Sequence, residues 1–359
     1  MPQQAHAARA RRDEPSCPAW SSDHLESPDG PEIEAPYFDE ILEAWVLSRH
    51  ADVLAAFRSP NLTPVGPNSG KHPQSADPGQ RLRMREETLD ALSPALLNTW
   101  RDRLAPEVQA LVAALPVESP VDLIAGYARP LCLVCASIVT DLERDEAWRL
   151  QEHAQQVAAA AADPCDPVLR ANAKFAGVGL QACFHSGPET LRDSGFVALS
   201  QTMIGILGNA WFALLQYPSQ WHRLHRQPEL MDAAIEELLR YAGLVRVIFR
   251  LATEDISLNG VQIRRGDRLV LRIIAANRDP ERFTHANRVD ITRRGAGHLT
   301  LGAGAHSCVG ASLIRMAAVA ITLPLLKRFA NANLSLPPDW HGGPIYRYPS
   351  SLLVRLSDA

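Results

Sequence analysis

The sequence predicts a mostly α-helical protein with a small β region. Three observations carry that prediction. Leu97, Trp100, Leu104, Val108, Leu111 and Leu115 recur every three or four positions, the period of an amphipathic helix. The tract from Phe196 to Leu214 is apolar nearly all round, as expected of a helix lying in the core. Between residues 254 and 274 the pattern changes to alternation through Ile256, Leu258, Val261, Ile263, Leu269 and Leu271. Asn259-Gly260 and Gly266-Asp267 punctuate it, which predicts short antiparallel strands joined by tight turns.

Taken in order, residues 1–30 are rich in Pro, Ser and Ala and read as a flexible N-terminal tail. Residues 31–359 read as one domain. Pro36 to Arg58 gives strand, turn and helix: Trp45, Val46 and Leu47 favour a strand, and Val53, Leu54 and Phe57 follow at helical spacing. Five prolines between residues 59 and 79 make that stretch a loop. Residues 81–245 are mainly helical, with a helix from about Leu230 to Tyr241. A loop rich in Arg, Asn and Gly covers 277–309, and a last apolar helix runs to about Phe329, before short C-terminal strands.

Composition narrows the function. Of 359 residues, 46% are hydrophobic and 21% charged, which is globular. A net charge of −4 lacks the basic excess of a nucleic-acid binder. The most apolar run, Met203 to Leu215, is too short to span a bilayer and contains Asn209, so no membrane partner is expected. No apolar segment follows the basic N-terminus, so a secretory signal is not expected. Six irregularly spaced cysteines then point to a reducing cytoplasm rather than a disulfide framework. Cys132-x-x-Cys135 lies in the apolar run PLCLVCASIV and reads as buried core.

The stretch LGAGAHSCVGASLIRMAA, from Leu301 to Ala318, carries the chemistry. Gly302, Gly304 and Gly310 surround Cys308 and permit tight turns and close approach to a flat cofactor. Amides at the start of the following helix favour negative charge on sulfur. A thiolate so placed can ligate haem iron. His306 stands two residues before it. A glycine-rich turn around a buried cysteine is the plain alternative.

The stretch resembles the haem-binding loop of the cytochromes P450, Phe-Gly-x-Gly-x-His-x-Cys-x-Gly, matching at Gly302, Gly304, His306, Cys308 and Gly310 and departing at Leu301, where the family has phenylalanine. Other matches follow in order. Glu237-Leu-Leu-Arg240 matches Glu-x-x-Arg, with Arg288 expected as third member of a buried structural network. Arg250 resembles the arginine that binds a haem propionate, and guanidinium–carboxylate pairing is strong and bidentate. DPGQRLRMR resembles a family segment in which Arg81 and Arg85 would contact propionates, with Arg81 in place of a histidine. The resemblance implies a P450 fold, haem b (iron protoporphyrin IX) with Cys308 as its iron ligand, and electrons from a ferredoxin and ferredoxin reductase.

The central helix departs from the family's Ala-Gly-x-Glu/Asp-Thr-Thr. Counted back from Tyr217-Pro218, it reads Ala198-Leu199-Ser200-Gln201-Thr202. Thr202 takes the place of the alcohol that serves oxygen activation. Gln201 replaces a carboxylate and cannot titrate. Leu199 adds bulk in place of glycine and is expected to remove a kink. Leu244 to Phe249 corresponds to a substrate-contact strand, so Arg246, Val247 and Ile248 are expected to line the pocket with Leu199, and Arg246 can either form a salt bridge within the fold or meet an acidic group on the substrate. A second candidate wall lies at Tyr346 to Ser350. The chain is short between Arg149 and Phe196, which predicts a reduced lid and an open pocket, suited to a large substrate or one tethered to a carrier protein.

The implied function is oxidation of a small organic molecule in secondary metabolism, antibiotic biosynthesis included. Two alternatives stay open: a P450 doing oxidative coupling or peroxide-driven chemistry, and a haem-binding protein without turnover.

Overall fold

β1 (Tyr37–Asp39) and β2 (Ala44–Leu47) lead into α1 (His50–Arg58) and β3 (Leu62–Pro64), in the strand–turn–helix order the sequence predicts. The structure is a computed structural model describing residues 31–65, 78–183, 191, 195–295 and 297–358. α2 (Pro78–Ala91) and α3 (Pro94–Ala114) follow, the second capped by Ser93, whose Oγ accepts from the Leu96 amide. β4 (Pro120–Asp122) precedes a π turn, then α4 (Arg129–Thr140), α5 (Arg144–Ala162) and α6 (Pro167–Cys183). The expected N-terminal tail lies outside the described residues.

α7 is the long central helix, Gly195–Gln216. From Met203 to Leu215 every residue is buried, including Asn209, whose side-chain amide donates to the Arg347 carbonyl. It is the one helix among the described residues long and apolar enough to cross a membrane, but its most apolar window is 89% buried inside the protein. It is thus the core helix that its all-round apolarity predicts. Burying each large apolar side chain stabilises the fold by about 1.5–3 kcal/mol. α8 (Pro218–Arg226) and α9 (Met231–Tyr241) complete the helical half.

β5 (Val247–Ala252), the hairpin β6 (Ile256–Leu258) and β7 (Val261–Ile263), and β8 (Arg268–Arg272) form the β region. The hairpin turns at Asn259 (φ 46) and Gly260 (φ 90), both left-handed, as an Asn-Gly turn requires. The main sheet runs β1-β2-β8-β5-β3, with β2 and β8 parallel and the other pairs antiparallel. α10 (Ala311–Arg328) is the last helix, ahead of β9 (Asn331–Leu334), β10 (Trp340–Gly342), β11 (Arg347–Pro349) and β12 (Leu353–Ser357).

Two expectations need correction. The region of α5 and α6 is not open: the two helices pack along each other, with Gly179 against the His153 ring, and α5 rests on the central helix. A small, built lid stands where an open pocket was expected. In addition, Cys165 at the α5–α6 turn is disulfide-bonded. Cys132 and Cys135 are buried core residues, and burial pushes both thiols up, Cys135 to about 12.

Candidate active site

Cys308 sits at the end of a loop folded back on itself. Its amide donates to the Leu301 carbonyl at 2.7 Å, closing the turn. Gly302 (φ 71) and Gly304 (φ 68) take left-handed backbones that L side chains resist. A Cβ on Gly302 would lie 3.2 Å from the His306 carbonyl, and one on Gly304 would lie 3.0 Å from the Phe57 carbonyl. The loop is therefore pressed onto the end of α1, and Phe57 is its support. Sequence reasoning missed that role, because Phe57 looked like one more apolar position of an amphipathic helix.

Burial pushes the Cys308 thiol up from its ordinary value; the Gly310 amide and the charges of Arg85 and Arg315 pull it back. The amide confirms the expected helix-start effect. The thiol is thus protonated alone, and coordination to a metal would deprotonate it. Arg85 reaches the loop, but its terminal nitrogens donate to the Ser307 carbonyl (2.7 Å) and Oγ (2.8 Å). It braces the turn beside Cys308. The Arg81 side chain lies outside the described residues. His306 is exposed on the single turn Gly304–His306.

Arg250 gives the sharpest sign of a missing anion. It is 5% exposed, its Nε has no hydrogen-bond partner, and its guanidinium lies over the Phe57 ring at 5.5 Å. Its Nη1 donates to the Phe249 carbonyl at 2.9 Å. Burial alone lowers its pKa to about 10. A buried cation is costly unless it is paired, and here Phe57 links it to the Cys308 loop. A flat cofactor carrying carboxylates, ligated by Cys308 over the glycine turn, fits this cradle.

In the central helix, Ala198–Thr202 forms a π turn, and the Met203 amide reaches the Ala198 carbonyl. Such single-turn bulges cluster at functional sites. Leu199 was expected to remove the kink; the distortion is present with leucine in place. Leu199, Ser200 and Gln201 are buried, and Thr202 is half-buried. Gln201 Nε2 is 3.5 Å from Ser200 Oγ. One turn on, a Cβ at Gly205 would stand 2.8 Å from Leu244 and 2.9 Å from Tyr348. Glycine therefore lets β11 and the β5 lead-in close on the helix.

Strand alternation sorts the expected pocket residues. Val247 packs with Val46, Phe249, Val270 and Ile345 in a buried cluster. It faces the other side of the sheet from Arg246, Ile248 and Arg250. Arg246, Ile248 and Arg250 share the opposite face, and Ile248 packs with the cluster containing Phe57. Tyr346 bridges to Val245, and the charge of Cys308 bears on its phenol. The bridge brings the C-terminal hairpin against the lead-in to β5.

Glu237 and Arg240 form the expected buried pair, both side chains 0% exposed. All five Arg240 donors are used: two bonds to Glu237 (2.7 and 2.8 Å) and three to the carbonyls of Asn277, Ala286 and Arg288. Glu237 also accepts from the Asp290 amide and from Arg293 Nε at 3.0 Å. The third guanidinium is therefore Arg293. Arg288, expected in that role, contributes its carbonyl while its own side chain is exposed. Both lie in one Arg-rich loop, and only the folded path of that loop distinguishes them. Asn277 carries the network to the Cys308 loop, donating to Thr300 Oγ1 and accepting from the Leu299 amide.

Beside it, Glu236 pairs with Arg315 and His298. Burial would raise its carboxyl, but these two partners hold it at about 2. A lowered carboxylate stabilises the fold above its ordinary value, and that contribution is lost as pH falls through the folded one. We therefore expect acid unfolding between about pH 4.5 and pH 2 to be less steep in Glu236→Gln, read by circular dichroism. A cleft of about 620 Å³ opens at Glu236, Arg293 and Arg294. Glu236 and Arg293, members of these charge pairs, form part of its wall.

Comparison with known proteins agrees with this geometry. A family model described as Cytochrome P450 matches residues 218–346, which contain α9, β5 and the Cys308 loop. Nocardicin C N-oxygenase of Nocardia uniformis subsp. tsuyamanensis is 28% identical over 366 residues, covering 90% of this chain and 91% of its own.

The chain belongs to the cytochrome P450 family.

The fold agrees throughout this P450. The LnmA cytochrome P450 hydroxylase of the leinamycin pathway of Streptomyces atroolivaceus superposes with a TM-score of 0.71 at 27% identity, over 87% of this chain and 90% of that one. P450BioI, solved in complex with a fatty-acyl-ligated acyl carrier protein, gives 0.76 at 23% identity, over 88% and 92%. As a member of the family, the chain is an oxidoreductase whose cofactor is haem.

Proposed function

We propose that this P450 is a monooxygenase of a small organic molecule in a natural-product pathway, in which the Cys308 thiolate would hold the iron of haem b. The observation that carries the reading is the Cys308 loop itself, a thiol held at a helix start by a glycine turn. Arg250 is proposed to pair with a propionate, with His306 and Arg81 beside it, and Gly302, Gly304 and Gly310 to shape the cradle. When bound, haem supplies dioxygen activation, with the thiolate pushing electron density towards O–O cleavage. The chain's own residues exclude water, orient the substrate and handle protons. Ferredoxin and its reductase are the proposed electron source.

The test is the absorbance spectrum of dithionite-reduced protein with carbon monoxide. A strongly red-shifted Soret band supports the reading. Haem binding without the shift would favour a binding protein without turnover, and no haem at all would defeat the proposal.

Proton handling separates the reaction classes. Thr202 can donate and accept at the π turn, whereas Gln201 beside it cannot titrate. For ordinary hydroxylation, Gln201→Glu is expected to raise product formed per electron consumed severalfold. Unchanged coupling would favour oxidative coupling or peroxide-driven chemistry. A carrier-tethered substrate is a second reading, favoured by Trp148, Val168, Phe175 and Val178, all more than 60% exposed on the lid helices.

A further inference from the structure

The turn between β10 and β11 meets the end of the lid more closely than a side chain at its tip would allow. A Cβ at Gly343 would lie 2.4 Å from the Ala162 carbonyl oxygen and 2.8 Å from Asp163 Cβ, whereas real Cβ atoms stay beyond about 3.0 Å. The nearest obstacle is backbone, so it cannot swing aside as a flexible side chain can. Glycine is required here by the closeness of the approach.

One hydrogen bond fastens the contact. Ala162 is the last residue of α5, so its carbonyl has no partner within the helix. The Ile345 amide fills that place from across the seam, donating at 3.1 Å. The turn is shaped to do so: the Gly343 amide donates to the Tyr346 carbonyl at 2.9 Å, and Pro344 restricts the backbone between them. Ala162 and Ile345 are both buried. Among the described residues this is the one backbone hydrogen bond that ties α5 or α6 to a segment outside the lid. Residues Ala158 to Ala162 are all alanine, so the end of α5 has no polar side chain to reinforce it.

The partners of the seam stand on one stretch of the central helix. α5 rests on the π turn of α7, and Tyr348 of β11 packs one turn further on, against Gly205. The Ala162–Ile345 bond joins the free ends of the two. The seam therefore lies on the side of α7 that carries the π turn and Thr202.

We propose that this seam is a latch across the route by which ligands reach Cys308, with Gly343 as the positioning residue that lets it shut. The proposal rests on the haem-thiolate reading and adds how the site is entered. A latch made of one hydrogen bond is weak, since the net worth of such a bond corresponds to about a two- to tenfold change in an equilibrium. It opens readily, as a lid must if substrate is to enter and product to leave.

The test is stopped-flow binding of 4-phenylimidazole to the haem-loaded protein, followed by the shift of the Soret band. A latch slows entry and exit alike. Gly343→Ala is therefore expected to raise the association and dissociation rates together, about two- to tenfold, while Kd stays within about twofold. Damage to the binding contacts would instead change Kd, mainly through dissociation. Gly177→Ala is the control: it lies on α6, where an added Cβ meets nothing within 4 Å, and both rates should keep their wild-type values. Unchanged rates in Gly343→Ala, a change in one rate alone, or equal acceleration in Gly177→Ala would each overturn the proposal. So would failure of the ligand to bind any of these proteins. Should Gly343→Ala fail to fold, Pro344→Gly decides. It frees the turn that carries the Ile345 amide without adding an atom, and both rates must again rise. A protein with the red-shifted carbon monoxide band but unchanged rates defeats this proposal alone. Absence of that band defeats the parent reading whatever the rates.

Discussion

Cys308→Ala is expected to abolish the red-shifted Soret band of the reduced, carbon monoxide-treated protein while leaving the fold intact. The size of the spectral effect follows from the site: the Cys308 amide is tied to the Leu301 carbonyl, the Gly310 amide bonds the sulfur, and no other group of the loop can donate a thiolate. The small structural effect follows from volume. Removing one sulfur from a half-buried position should destabilise the haem-free protein by only about 1 kcal/mol, and circular dichroism should be unchanged. The other described free cysteines make poor substitutes. Cys132 and Cys135 are wholly buried in α4, and Cys183 ends α6. A red-shifted band that persists in Cys308→Ala would move the ligand elsewhere, and Cys183→Ala would then be the next variant to record. Loss of the band with loss of the folded protein would be read against Cys308→Ser, which preserves volume.

Glu237→Ala is expected to prevent accumulation of folded protein. The carboxylate receives two bonds from Arg240, one from Arg293 and one from a backbone amide, all within a buried network. Its removal leaves the Arg240 guanidinium buried without its counter-charge. Breaking such a pair from one side costs about 3–5 kcal/mol, a large part of the roughly 5–15 kcal/mol by which a domain is stable. The companion variants separate the two candidate third members. Arg293→Ala removes a guanidinium at 3.0 Å from Glu237 and is expected to lower stability by about 1–3 kcal/mol. Arg288→Ala keeps the carbonyl that Arg240 uses and should stay within about 0.5 kcal/mol, the range of an exposed substitution. The yield of folded protein checks Glu237→Ala, and denaturant titration of wild type, Arg293→Ala and Arg288→Ala checks the order of the others. Equal effects at 288 and 293 would contradict the assignment.

These two variants probe different parts of one construction. Glu237 and Arg240 fasten α9 to the loop after the sheet, and Asn277 and Thr300 pass that order to the turn before Cys308. Damage to the network should therefore weaken haem binding as well as the fold. Damage at Cys308 should not propagate the other way, since the bond from its own amide to the Leu301 carbonyl survives loss of the sulfur.

Much of the molecule was legible in the chain alone. The apolar period of α3, the all-round apolarity of α7 and the alternation through β6–β8 are local signals, and each became the element expected. The Cys308 loop was legible for the same reason: glycines at Gly302 and Gly304 are needed by the backbone itself, wherever the rest of the chain goes. What the tertiary structure decided are choices between residues that look alike in sequence. Arg288 and Arg293 are neighbours in an arginine-rich loop, and only the path of the loop brings Arg293 to Glu237. Arg85 and Arg250 both looked like carboxylate partners; one is occupied by Ser307, whereas the other keeps an unpartnered Nε. Val247 and Arg246 are adjacent, yet the twofold period of the strand sends them to opposite faces. Phe57 and the two-helix lid were missed because both depend on contacts between segments distant in sequence. Local patterns determine the elements because backbone geometry is a short-range constraint. Which side chain meets which charge is long-range, and only the folded arrangement settles it.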